Sequence, residues 1–213
     1  MRSTDSHVVA RARQVILALC MCFSLSAQVT DRELLDAYQR EDMSLWKGYI
    51  DTITNHQSPI TNRTLAYEYG YCGFIVAEAK KDGQDALMPE AKQYVQLFRQ
   101  HVEEAKSTLP VGHYEMWMSA VMVFELRLKV SIHPIKAMSL AKDATRLAPN
   151  DPLTLSYYGT SLFYAPKPFG SKSEALEWFE KAEPLFQDPQ YEYCWLREAN
   201  QMYIHQCQEK LKK

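Results

Sequence analysis

Residues 151–186, DPLTLSYYGTSLFYAPKPFGSKSEALEWFEKAEPLF, contain two helical patterns separated by one short interruption. Apolar residues recur at spacings of three and four before Ala165 and again after Ser171, as on one face of a helix. Pro166, Pro168 and Gly170 interrupt the pattern. The interruption is a ligand-binding loop, a domain boundary or an elbow between paired helices, and residue spacing distinguishes these alternatives.

The segment PFGSKS at 168–173 does not fit a phosphate-binding loop. That loop requires two glycines that bracket four residues, then Lys-Ser/Thr, after a buried strand. Here a single glycine stands before Ser-Lys-Ser, and a helical pattern comes before it. Ser171 and Glu174 instead have the spacing of a capping box, in which the hydroxyl accepts from a helix N–H. We therefore expect a new helix to begin at Ser171.

The composition predicts a folded, all-α protein. The chain has 213 residues, of which 46% are hydrophobic and 23% charged. Its formal charge of −2 gives no reason to expect a nucleic acid partner, since such proteins usually carry a basic patch. The apolar spacing predicts eight helices, over about residues 31–55, 61–81, 89–107, 113–130, 134–147, 152–164, 173–186 and 189–212.

The N-terminal residues have the pattern of a secretory signal peptide. Arg11 and Arg13 precede an apolar run at 15–27, which ends in the small residues Ser24, Ser26 and Ala27. We expect residues 1–27 to be cleaved as a signal peptide; the alternative is a buried N-terminal helix. The ending SLSAQ resembles export signals of Gram-negative bacteria of the Bacteroides type, which implies a protein of the periplasm or cell envelope. The rest of the chain has no second long apolar run, so no transmembrane segment is expected there.

No residue pattern indicates a catalytic, metal or cofactor site. The histidines form no i, i+4 pair and no cluster with cysteines at the short spacing that zinc requires. Beyond residue 27 the cysteines are Cys72, Cys194 and Cys207, an odd number that cannot all pair within one chain. On one continuous helix Cys194 and Cys207 would be about 20 Å apart, too far for a disulfide. We expect buried thiols.

Small residues recur at a nearly constant period. Ala144 follows Ala105 by 39 residues, and Ala182 follows Ala144 by 38. Pro110 and Pro149 each follow the corresponding alanine by five residues. A repeat of about this length indicates a chain built from helix pairs.

The residues within this period resemble the tetratricopeptide repeat, over about residues 116–186. Leu155, Tyr158, Gly159 and Leu162 fall at the large, Leu, Gly and Tyr places of that repeat. The remaining repeat positions are Ala137, Ala144 and Pro149 in one unit and Ala175, Phe179 and Ala182 in the next. Ala141 stands where the family has Phe, and the separation from Gly159 to Ala175 is 16 residues rather than the family's 12. The surplus is the 165–171 loop, which the spacing places inside one repeat.

The resemblance implies a helical-hairpin solenoid of about three helix pairs over residues 61–188. An N-terminal helix at 28–60 and a capping helix at 189–213 would flank it. The first helix of each pair would then line a concave groove, and the implied partner-binding residues are Tyr114, Trp117, Val121, Ser156, Thr160 and Phe163.

The expected function is a non-catalytic scaffold of the cell envelope that binds a protein or peptide. Two alternatives belong to other classes. One is a helical enzyme or small-ligand binder with a pocket near the 165–171 loop. The other is a structural component of an envelope assembly that associates with itself. We expect no catalytic residue, no metal and no cofactor.

Overall fold

The computed structural model describes residues 29–130 and 133–212, and within these ranges the regular structure is all helical, with no strand. The expected signal peptide, 1–27, lies outside the described residues. The α-helices are α1 (Asp31–Gln39), α2 (Ser44–Asn55), α3 (Asn62–Glu78), α4 (Met88–Ala105), α5 (His113–Arg127), α6 (Pro134–Leu147), α7 (Pro152–Tyr164), α8 (Lys172–Ala182) and α9 (Trp195–Leu211). Short 3-10 helices cover Asp85–Leu87, Glu183–Gln187 and Pro189–Tyr191.

The predicted helix at 31–55 is two helices. Glu41 adopts a left-handed conformation with φ of 58°. The Asp42 N–H donates to the Ala37 carbonyl and the Glu41 N–H to the Tyr38 carbonyl, as in a Schellman motif. The chain then reverses, and Trp46 Nε1 donates to the Leu34 carbonyl at 2.7 Å. The prediction of one helix was wrong because neither Gly nor Pro marks this turn.

The predicted helices at 173–186 and 189–212 are also shorter than expected. α8 ends at Ala182, and a 3-10 turn that contains Pro184 follows. Asp188 Oδ1 then accepts from the Gln190 N–H at 3.0 Å and starts a second short turn. Cys194 is extended, so α9 begins only at Trp195. The predictions at 134–147 and 152–164 are confirmed in their bounds, since a proline begins each helix.

Side-chain caps begin three of the helices. Thr61 Oγ1 accepts from Thr64 N–H, and Asp151 Oδ1 accepts from Thr154 N–H. Ser171 Oγ accepts from the Glu174 N–H at 3.1 Å, so the predicted cap of α8 is confirmed.

Consecutive helices pack as pairs: α3 with α4, α5 with α6, and α7 with α8. The predicted repeat alanines at 137, 144, 175 and 182 are buried, as are Leu155, Gly159 and Phe179. Pro149 is exposed in the turn between α6 and α7. Within residues 29–130 and 133–212, no helix has the length and apolar character needed to cross a membrane.

Candidate binding groove

Most of the side chains expected to line a partner groove lie in the interior. Trp117 and Val121 are 1% and 0% exposed, and Ser156 and Phe163 are also buried. These four residues pack against neighbouring helices, so they offer no surface to a partner in this structure. Tyr114 and Thr160, which are discussed below, remain partly exposed.

Aromatic side chains pack over the helix faces that carry these residues. The ring of Tyr69 in α3 lies 5.7 Å from Trp117, 5.8 Å from Tyr157 and 5.9 Å from Trp195, measured between centroids. These partners belong to α5, α7 and α9. Trp195 Nε1 also donates to the Ala66 carbonyl of α3 at 3.2 Å. The four helices therefore converge on Tyr69 and fill the space that an open groove would need.

Tyr114 and Thr160 are held by different neighbours. The hydroxyl of Tyr114 donates to the Glu103 carboxylate, with Lys106 Nζ 4.5 Å from the ring centroid. Thr160 Oγ1 donates to the Ser156 carbonyl one turn earlier in its own helix. For Tyr114 and Thr160, partner binding stays a prediction.

The 165–171 loop is folded against the end of α7. A side chain at Gly170 would collide with the Leu162 carbonyl oxygen. Lys172 Nζ donates to the Phe163 carbonyl and lies over the Phe163 ring. The exposed tip carries Phe169. The loop is thus packed as an elbow between α7 and α8, and the cavity described next lies elsewhere.

A groove of about 510 Å³ lies where three separate segments meet. It is lined by Val111, by Leu185, Asp188, Gln190 and Tyr191, and by residues 147–152 of the turn between α6 and α7. Gly112 has φ of +83°, and a Cβ there would lie 2.8 Å from the Ala144 carbonyl oxygen. Only glycine tolerates this conformation and this approach easily, so Gly112 is what brings Val111 to the groove.

The rim of the groove carries exposed apolar side chains. Val111 is 69% exposed and Leu147 is 45% exposed, beside the exposed Pro149; Leu185 is half-buried and Pro152 is buried. The prolines have a fixed φ, so this part of the lining loses little conformational entropy when a ligand binds. Exposed apolar side chains that surround a concavity are typical of a binding surface.

The lining of the groove carries two acidic residues. Asp151 and Asp188 contribute carboxylates, and no Lys or Arg is among the described residues that line the groove. Burial, followed by the charges of Asp151, Cys194 and Asp188, raises the pKa of the Tyr191 phenol to about 12. The Tyr191 hydroxyl therefore keeps its proton at neutral pH and can donate a hydrogen bond.

A buried histidine lies behind Asp151. His113 is 2% exposed, and its Nδ1 lies 2.8 Å from Asn62 Oδ1, which also accepts from Trp117 Nε1. His113 Nε2 lies 3.2 Å from Asp151 Oδ2 but has no partner in hydrogen-bond geometry among the described residues. The groove carboxylate thus faces an unsatisfied imidazole nitrogen.

A second buried polar pair lies between α3 and α4. His101 Nδ1 and Glu68 Oε1 are 2.5 Å apart, and Glu68 Oε2 has no hydrogen-bond partner in the described part of the chain. Burial raises the pKa of Glu68. Burial also opposes the charged form of His101, but its hydrogen bond to Glu68 and the charge of that carboxylate outweigh burial and raise the pKa of His101. Because both side chains are enclosed, we interpret the pair as a link between helices rather than a ligand site.

The described residues form no further cluster of metal-binding or reactive side chains. No group of three His, Cys, Asp or Glu side chains in 29–130 and 133–212 could hold a metal ion. Cys72, Cys194 and Cys207 are free thiols; Cys72 and Cys207 are buried, as expected, whereas Cys194 is half-buried. Burial raises the pKa of the Cys72 thiol, which disfavours a reactive thiolate.

Searches for similarity add no assignment: no family model, characterised protein or solved structure gives a significant match to this chain. The fold and the groove together define an all-helical protein, over the residues described, with an open groove that combines exposed apolar side chains with two carboxylates. The groove residues were not singled out in the sequence. The signal in the sequence that could have indicated the groove is an apolar residue next to a proline or glycine turn, such as Leu147 or Val111, rather than on the apolar face of a helix.

Proposed function

We propose that this protein is a non-catalytic scaffold that binds a segment of another protein in the groove formed by Val111, residues 147–152 and residues 185–191. The observation that carries the proposal is the exposed apolar rim around a cavity of about 510 Å³. A cavity of this size accommodates a few side chains of a peptide. The groove, rather than the face that carries Trp117 and Phe163, is the binding surface.

We further propose that the helix pairs form a short tetratricopeptide-like solenoid. The pairwise packing of α3 with α4, α5 with α6 and α7 with α8 supports this. So does the contact between Gly159 and Phe179, where the repeat resemblance requires a small residue. In such a repeat the turns between helix pairs occupy equivalent positions, and residues 147–152 would be one of these turns.

The scaffold would function in the periplasm or cell envelope of a Gram-negative bacterium. The basic and apolar pattern of residues 1–27 supports export. Mass spectrometry of the protein recovered from the periplasm should find Gln28 at the N-terminus. Recovery of the folded periplasmic protein with Met1 intact would contradict export by a cleaved signal.

A peptide-display selection tests the binding site. A library of random 12-residue peptides would be selected on the purified chain from Gln28 onward. Selected peptides should lose affinity for Leu147→Asp, because a carboxylate on the apolar rim must be desolvated. The matched control is Leu211→Asp, since Leu211 is also exposed, at 51%, but lies at the end of α9. Peptides that bind both variants as well as the wild type would overturn the proposed site.

A further inference from the structure

We infer that the bound segment carries a lysine or arginine side chain next to an apolar residue, and that this cation binds in the groove beside Asp188, Asp151 and Tyr191. The inference rests on the proposed function and assigns the chemistry of the ligand. Its basis is charge complementarity and the hydrogen-bond accounting of the groove.

Asp188 has an oxygen available for a ligand, whereas both oxygens of Asp151 have neighbours. Asp151 Oδ1 caps α7 by accepting from the Thr154 N–H, and its Oδ2 lies 3.2 Å from His113 Nε2. Asp188 Oδ1 accepts from the Gln190 N–H, so its second oxygen remains an acceptor for a ligand. The caps also fix the two side chains in place, which reduces the entropy that is lost on binding.

Tyr191 lines the same groove as both carboxylates. Burial and then the charges of Asp151, Cys194 and Asp188 raise the pKa of its phenol. The ring of Tyr191 packs edge-on against Phe186 at 5.5 Å between centroids. An aromatic ring beside two carboxylates suits a guanidinium or ammonium group, which is attracted to the ring face as well as to the charges.

The buried imidazole of His113 lies against Asp151. Trp117 Nε1 can only donate, so Asn62 Oδ1 is the acceptor and His113 Nδ1 carries the proton it donates. His113 Nε2 lies 3.2 Å from Asp151 Oδ2, so Asp151 contributes negative charge to the groove but its Oδ2 is directed at the imidazole. Asp188 is therefore the carboxylate with a free oxygen, and no Lys or Arg is among the described residues that line the groove.

The rest of the groove selects the neighbour of the cation. Val111, Leu147 and Pro149 bury apolar surface, so an apolar side chain beside the lysine or arginine would fill the remaining space. A ligand with an acidic residue in the same position would place a carboxylate against Asp151 and Asp188. Like charges at short range are repulsive, so such ligands would be excluded.

The test uses Asp188→Asn, since asparagine keeps the cap on Gln190 and removes the charge. Binding of the selected peptides to this variant should weaken about two- to fivefold, as expected for a partly exposed ion pair. Selection repeated on Asp188→Lys should lose the enrichment of lysine and arginine and gain acidic residues. Asp82→Asn, at an exposed aspartate outside the groove, serves as the control and should bind like the wild type.

The outcomes separate the inference from the function on which it rests. Peptides that are enriched in lysine or arginine and weakened by Asp188→Asn would support the inference. Peptides that depend on Leu147 but show no basic enrichment and no response to Asp188→Asn would overturn the inference and leave the proposed function standing. If no peptide depends on Leu147, the proposed function fails and the inference fails with it.

Discussion

Gly159 of α7 packs directly against Phe179 of α8: a Cβ atom at Gly159 would lie 2.8 Å from Cε1 of Phe179. Phe179 is fully buried, and Ala175 closes the other side of the contact with its carbonyl oxygen. There is no room for a larger residue at Gly159 unless one helix shifts. The helix pair therefore depends on this glycine.

Gly159→Ala should destabilise the protein by about 1–3 kcal/mol, because the added methyl overpacks the interface. The matched control is Gly48→Ala in α2, where a Cβ atom would have no neighbour within 4 Å among the described residues. That change should stabilise by about 0.5–1 kcal/mol through helix propensity alone. Urea denaturation of the two variants measures both effects, and equal stability of Gly159→Ala and wild type would contradict the close packing.

Trp195→Ala should destabilise the protein by about 3–5 kcal/mol, as for a large buried aromatic residue. Trp195 contacts Tyr69, Tyr38 and Trp46 and donates to the Ala66 carbonyl, so its removal opens the face on which four helices converge. Tyr193→Ala, two residues earlier and exposed, should change stability by less than about 0.5 kcal/mol. Similar small effects for both variants would mean that α9 does not close this face.

Lys129→Gly should stabilise the protein by about 0.5–1 kcal/mol. Glycine relieves the strain of the left-handed conformation in the folded state, and this gain exceeds the loss caused by its greater conformational entropy in the unfolded chain. Lys129 has φ of 58° and ends α5 in a Schellman motif, with the Val130 N–H bonded to the Glu125 carbonyl. Lys106→Gly, at a right-handed position with φ of −44°, should instead destabilise. Thermal unfolding of the two variants distinguishes them, and a loss of stability in Lys129→Gly would contradict the strain assigned to that residue.

Stability should fall as the pH rises, because Glu68 and His101 both have raised pKa values in the folded chain. A proton that is held more tightly in the folded state stabilises it below the unfolded-state pKa, 4.5 for Glu68 and 6.5 for His101. That contribution is lost as the pH rises through the raised folded-state value, at about 1.4 kcal/mol for each pKa unit of the shift.

The pH dependence is measured by urea denaturation between pH 5 and pH 9, with His101→Gln and His205→Gln compared with the wild type. His101→Gln should flatten the decline, whereas His205→Gln should retain it because His205 is exposed on α9. A decline that is unchanged in His101→Gln would show that other groups cause it.

The helices were predictable where proline or a cap marks their ends, as at Pro134, Pro152 and Ser171. The break at Glu41 was not predictable, because a non-glycine residue occupies the left-handed position and the apolar spacing continues through it. A stripe of aromatic residues in the sequence also does not show whether those side chains pack against other helices or face a binding partner. Trp117 and Phe163 fit the pattern of a groove-facing helix, but Tyr69 packs against Trp117 and Tyr203 packs against Phe163.

The groove was not predictable because its lining comes from segments that are far apart in the chain, at 111, 147–152 and 185–191. Its position depends on Gly112, whose close approach to Ala144 becomes visible only in three dimensions. The 3-10 turns at Glu183–Gln187 and Pro189–Tyr191 contribute Leu185, Asp188 and Tyr191, and a continuous helix there would have placed them differently.

The most direct test of the binding site is an NMR titration of the labelled chain, from Gln28 onward, with a peptide selected on it. The groove predicts that the largest chemical-shift changes fall at Val111, Leu147 and Tyr191. Residues of the exposed 165–171 loop, such as Phe169, should shift little. Changes centred on that loop or on Tyr114 and Thr160, with the groove unaffected, would contradict the proposed site.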